Sequence, residues 1–159
     1  MQRLLLRTLT PSLVLMTASC GSGQSGDAVD RASAIYAIVI RAVVSKPAPL
    51  PEPLDMPVFV VAGERATLSL EVQAAVADEL HEFATIRFVD EASQAVDVDE
   101  PGRPVREHGV LVTLGEIPDR GDVVTVEAER YERADATLDY RVRVELTDST
   151  WTTTRVSAR

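Results

Sequence analysis

The segment from Leu138 to Leu146 constrains the fold more than any other part of the chain. Apolar and charged residues alternate there without a break, a pattern no helix can bury on one side. Period-two alternation puts Leu138, Tyr140, Val142, Val144 and Leu146 on one strand face and Asp139, Arg141, Arg143 and Glu145 on the other. One dry face and one wet face indicate an antiparallel sheet packed on a single side. Neighbouring segments extend that sheet. Val110, Val112 and Leu114 alternate, Pro118 to Asp122 makes a turn, and Val124, Val126 and Ala128 continue as a second strand. Asp148-Ser149 then turns the chain into a last strand from Trp151 to about Val156, which completes a four-strand meander. Arg120-Gly121-Asp122 spells the integrin-recognition tripeptide, but Gly and Asp suit a turn for backbone reasons alone.

Ahead of the meander the period becomes helical. Between Ala32 and Val44, Ile35, Val39 and Ala42 share one face and Tyr36, Ile40 and Val43 an adjoining one. A helix apolar around most of its circumference predicts the central core helix, with Asp27 or Asp30 as its cap. Five prolines between residues 47 and 57 end it in an extended connection. Val58 to Ala62 reads as a strand stopped by Gly63. Ser69 can cap a second helix with Glu71 in its first turn and Val72, Val76, Leu80 and Phe83 as its apolar stripe. Thr85 to Asp90 alternates as a short strand. Residues 91–108 hold Asp97, Asp99, Glu100, Glu107, two prolines and Gly102 with little periodicity, and read as a mobile acidic loop. The expected fold class is α+β: two helices packed on a curved, mostly antiparallel sheet ending in the four-strand meander.

Residues 1–19 stand apart from this pattern. Arg3 and Arg7 precede the mostly uncharged run Thr8 to Ala18, which has the length of an export-signal core and is too short to span a bilayer. Thr17-Ala18-Ser19-Cys20 resembles the lipobox of bacterial lipoproteins, with Thr17 in place of the usual Leu-like residue. That resemblance implies a signal peptide over 1–19, lipidation of Cys20 as the first mature residue, and an exported protein anchored at the bacterial cell membrane or envelope. The alternative is an ordinary secretory signal cut near Ala18 or Ser19, leaving Cys20 free. Residues 20–29 then read as the lipidated cysteine and a flexible Gly/Ser tether, and 30–159 as a single envelope domain. Gly21 to Gly26 also spells G-x-G-x-x-G, but no strand precedes it, as a dinucleotide site requires.

Charge narrows the partners. Sixteen basic residues face twenty-five acidic ones, so the net charge of −9 gives no footprint for holding nucleic-acid phosphates. Loss of the leader removes two arginines and leaves −11, which an anionic lipid surface would repel rather than hold flat. Lys46 is the single lysine and Asn is absent, a bias expected of a high-GC bacterium.

Chemical motifs are sparse. His81-Glu82 begins the zinc pattern H-E-x-x-H, yet Ala84 and Thr85 follow where its second histidine is needed, so a solvated histidine is expected. Asp97-Val98-Asp99-Glu100 lacks the internal glycine of a calcium loop. No G-x-S-x-G elbow occurs. Glu127, Glu129 and Asp139 fall on the wet strand face, where Arg141 and Arg143 can pair with them. No catalytic, cofactor or metal residue is assigned, and no cofactor is expected. The leading expectation is a lipid-anchored, non-catalytic binding domain whose partners are the membrane through Cys20 and a protein or envelope component.

The alternative is a small-molecule or enzymatic pocket between the first helix and the sheet, lined by Tyr36, Tyr140 and Trp151, with His81 or Arg141 supplying polarity. A leading helix, a terminal meander and Tyr131, Tyr140 and Trp151 along its strands loosely resemble the cone-shaped domains related to nuclear transport factor 2 and the cystatin-like folds. That resemblance implies an α+β cone and no particular activity. A spacer or stability factor within a larger complex is the third reading.

Overall fold

The computed structural model describes residues 23–46 and 53–159, with side chains from residue 26 onward. The expected signal peptide over 1–19, Cys20 and the proline-rich stretch 47–52 lie outside the described residues. The fold is α+β, with two helices and one six-stranded sheet. Helix α1 spans Gly23–Val44, strand β1 Val58–Ala62, helix α2 Leu70–Glu79 and strand β2 Ile86–Phe88. Strands β3 (Val110–Leu114), β4 (Val123–Arg133), β5 (Ala136–Thr147) and β6 (Thr150–Ala158) follow. The sheet order is β2-β1-β3-β4-β5-β6. The last four strands form the expected antiparallel meander, whereas β1 pairs parallel with both β2 and β3.

Helix α1 is the core helix its pattern predicts. Ile35, Tyr36, Val39, Ile40, Val43 and Val44 are buried. They need two covers, and α1 has them: α2 on one side and β3 to β6 on the other. It starts at Gly23, inside the stretch expected as a flexible tether, so residues 23–29 are helical. Val29 and Ala32 explain the extension, because both pack against the core and carry the apolar stripe back toward the N-terminus. Asp27 and Asp30 therefore stand within the helix rather than capping it. Ser69 does cap α2, its hydroxyl accepting the Val72 N–H at 3.3 Å. That helix stops at Glu79, and a turn delivers Leu80 and Phe83 to the core beside Val72 and Val76.

The β1–β3 part of the sheet is covered on its second face as well. Parallel neighbours cannot be joined by a hairpin, so the chain must cross the sheet between them. Helix α2 makes the first crossing, from β1 to β2. Residues 89–109 make the second, from β2 past β1 to β3, and they do so without a helix. Their buried Ala95, Val96 and Val105 pack on Phe59, Val61 and Leu111. The Val105 N–H donates to Glu132 O and the Arg106 N–H to Ala95 O, both at 2.8 Å. Tyr131 donates its hydroxyl to Arg103 O at 2.7 Å. Arg87 lies over the Phe59 ring and pairs with Glu107. The stretch 91–108, expected as a mobile loop, is thus a built cover with two short 3-10 turns and a Val96–Val105 bridge. Its buried residues, an adjacent pair at Ala95-Val96 and a single Val105, show no period.

At the other end of the sheet, the two-residue β5–β6 turn places Asp148 and Ser149 at φ 50° and 65°. Two left-handed residues are what a tight hairpin turn requires, here without any glycine.

Val105→Ala tests the cover. Removing two buried methyl groups should lower unfolding stability by about 2 kcal/mol in chemical denaturation. Unchanged stability would mean that 91–108 does not pack on the sheet.

Candidate functional site

Strands β1 and β3 run parallel and side by side, and each ends in Gly-Glu: Gly63-Glu64 and Gly115-Glu116. From these carboxyl ends the chain departs in opposite directions. One path leads through α2 to β2, the other through a turn to β4. Diverging connections leave a crevice at the strand ends, the usual ligand position in open sheets with parallel strands. Glycine is required at Gly115 because a Cβ there would stand 2.6 Å from the Glu127 carbonyl oxygen. The Gly63 N–H donates to Leu114 O at 2.8 Å, closing the floor between the two strands.

The crevice is a continuous furrow. Its helix-side part, about 470 Å³, lies among Asp27, Arg31, Tyr36, Arg65, Glu116 and Asp119. A middle part of about 560 Å³ shares Arg65 and Glu116 with it. A third of about 270 Å³ shares Gly63, Gly115 and Glu127 with the middle and reaches Glu129 and Asp139 on the wet face. The first turns of α1 form one wall, so the N-terminal end of α1 and the furrow occupy the same end of the molecule.

Within the furrow the cations differ in freedom. Arg31 is fixed: its Nη2 donates to Gly121 O at 3.3 Å and its guanidinium lies 5.4 Å from the Trp151 ring centre. Arg65 is exposed and has no ion pair among the described residues. Asp27, Glu116 and Asp119 line the same part of the furrow. Tyr36 forms the inner wall, 3% exposed, its hydroxyl donating to Gly115 O at 3.2 Å. Burial pushes its phenol pKa up and the Glu116 carboxylate adds to the rise, while the Ile117 amide opposes both.

The five residues expected to line a pocket do not converge. Tyr36 lies in the helix-side part of the furrow and Tyr140 in the wet-face part. Trp151 is half-buried and serves as the platform for Arg31. Arg141 is exposed on the wet face, donating to Glu127 at 3.1 Å beside Arg159 at 3.0 Å. His81 sits in the turn just past α2 with its Nδ1 2.6 Å from Asp78 O, a contact that needs the Nδ1–H form. The space between α1 and the sheet is filled by the core itself. Arg65, Glu116 and Asp119 were not legible as site residues. The one signal for them was the repeated strand-Gly-Glu ending. Among the described residues no group of three or more His, Cys, Asp or Glu is disposed to hold a metal ion.

Glu129 is a half-buried carboxylate on the wet-face arm of the furrow. It faces Asp139 on β5 and Thr113 on β3, while Glu127 nearby is neutralised by its two arginines. Burial first, and Asp139 second, push its pKa up. The folded state therefore disfavours the charged form, and that cost is present above the folded pKa and disappears as pH falls through it. Glu129→Gln should raise the Tm near neutral pH, with the gain shrinking as the solution is acidified. A gain that persists unchanged in acid would contradict this assignment.

No protein-family model, no curated protein and no solved structure matches the chain.

Proposed function

We propose that the chain is a lipid-anchored cell-envelope protein whose domain binds a component presented at the membrane surface, without catalysis. The observation that carries this reading is the placement of the furrow at the N-terminal end of α1. Gly23 is three residues from Cys20, so an acyl anchor there would hold the start of α1 within about 10 Å of its attachment point. Several acyl chains on one cysteine anchor firmly where a single chain does not. The furrow would then open toward the bilayer rather than away from it. Among the described residues no helix is long and apolar enough to cross a membrane.

The furrow's charge supports a particular kind of ligand. One free guanidinium among several carboxylates suits a cationic or zwitterionic group better than a simple anion. The same carboxylates oppose direct contact with anionic lipid. The alternative reading, a small-molecule pocket protein, is supported by the roughly 470 Å³ cleft with the buried Tyr36 hydroxyl at its wall.

Fractionation of cells expressing the full chain and Cys20→Ala tests the anchor. The wild type should sediment with membranes and the variant should be released; a variant that stays with membranes contradicts the reading. A photo-crosslinking residue at Thr67, in the furrow, should give a discrete adduct that the same residue at Asp135 does not. Adducts from both positions or from neither would contradict a furrow-centred binding role.

A further inference from the structure

Strand β6 ends the sheet, and it is nine residues long, about 30 Å of edge. The opposite edge, β2, has three residues. Long edges are ordinarily blunted by charged side chains, proline, bulges or a covering element, because their outward N–H and C=O groups are a template for another strand; β6 carries one bulge, at Thr154, and one charge, at Arg155. Thr150-Trp151-Thr152-Thr153-Thr154-Arg155-Val156-Ser157-Ala158 contains neither lysine nor proline, and its four threonines favour extended backbone. Among the described residues the outward backbone groups of β6 meet no backbone partner. A register shift beside Thr154 interrupts the ladder with β5, and the strand continues on both sides of it.

The charge beside this edge says what would cover it. Arg143 and Arg155 stand directly opposite each other in the β5–β6 register, and both are exposed. Like charges in directly opposed positions repel. Among the described residues neither forms an ion pair; Arg155 has a 3.2 Å contact from its Nε to the Ser157 hydroxyl. In a chain of net charge −9 this is a basic pair without an ion-pair partner among the described residues, beside the longer of the two sheet edges. A second copy added along β6 would bring two more arginines to the same place. An acidic strand would neutralise both.

We infer that the outer edge of β6 receives an extended acidic segment of a partner protein by strand addition, with Arg143 and Arg155 meeting its carboxylates. The backbone ladder would supply affinity and the arginine pair would set the charge of the residue that lies beside Arg155. This site is separate from the furrow and does not depend on the anchor.

The probe is a capped ten-residue peptide alternating valine and threonine, with two central glutamates on one face, titrated into isotope-labelled full-length protein. Saturable amide shifts confined to residues 150–158 and their β5 partners are expected. N-methylation of alternate peptide nitrogens should abolish them. Arg155→Glu should weaken binding of the glutamate peptide at least tenfold and favour the matching lysine peptide; Arg155→Gln should weaken both contrasts. The inference is overturned by absence of saturable binding, by binding indifferent to N-methylation, or by equal binding of both peptides to the wild type. It is equally overturned if β6 self-associates in preference to binding peptide, or if a polyanion such as heparin reproduces the shifts without strand pairing.

Discussion

Parallel pairing of β1 with both of its neighbours is the constraint on which the rest of the molecule depends. A strand flanked on both sides by parallel partners forces two crossings, and the two here take opposite faces of the sheet. The α2 crossing lies with α1 and completes the main core. The 89–109 crossing carries Ala95, Val96 and Val105 onto Phe59, Val61 and Leu111 and makes a smaller second core. Only the meander half of the second face is left in water, where Glu127, Arg141 and Arg159 form an exposed network. Exposed pairs of this kind contribute little stability, so the fold rests on its two apolar layers.

The same topology creates the furrow. Because the chain leaves β1 and β3 in opposite directions, their carboxyl ends are not roofed by a common loop, and Gly63 and Gly115 let backbone rather than side chains form the floor. Helix α1 runs with its first turns against this opening and its buried middle against the sheet. The residues that line the opening are therefore contributed by segments far apart in the chain: α1, the two strand-Gly-Glu ends, β4, β5 and the C-terminal Arg159. A motif within one of those segments could not have announced them.

Periodic segments were legible in the sequence and aperiodic ones were not. The alternation in β5 and the apolar circumference of Ala32–Val44 reflect burial that repeats along one element, at Tyr140, Val142 and Val144 in the strand, whose flanking Leu138 is exposed rather than packed; both elements stand where expected. The 91–108 stretch contributes an adjacent buried pair, Ala95-Val96, and a lone Val105 beyond a turn, so its packing leaves no period, and its acidic surface looks like solvation. The start of α1 was hidden by Gly and Ser, whose helical conformation is supported from Val29 onward by tertiary packing rather than propensity. The parallel register of β1 was invisible because pairing partners are not encoded within a strand. For the site, aromatic residues were a poor guide. Tyr36, Tyr140 and Trp151 are used as wall, core and platform, while the free charge lies at Arg65.

The proposed anchor and the position of the furrow together require one orientation at the membrane. Trp151, the single tryptophan, lies at the furrow end through its contact with Arg31, and Asp135 lies at the opposite end of β5, about 35 Å away. Energy transfer from tryptophan to an acceptor on lipid headgroups measures that orientation in the intact, membrane-bound protein. Efficient transfer from Trp151, and weak transfer from a Trp151→Phe, Asp135→Trp variant, is the predicted result. Equal transfer from the two positions, or stronger transfer from residue 135, would contradict a furrow that faces the bilayer.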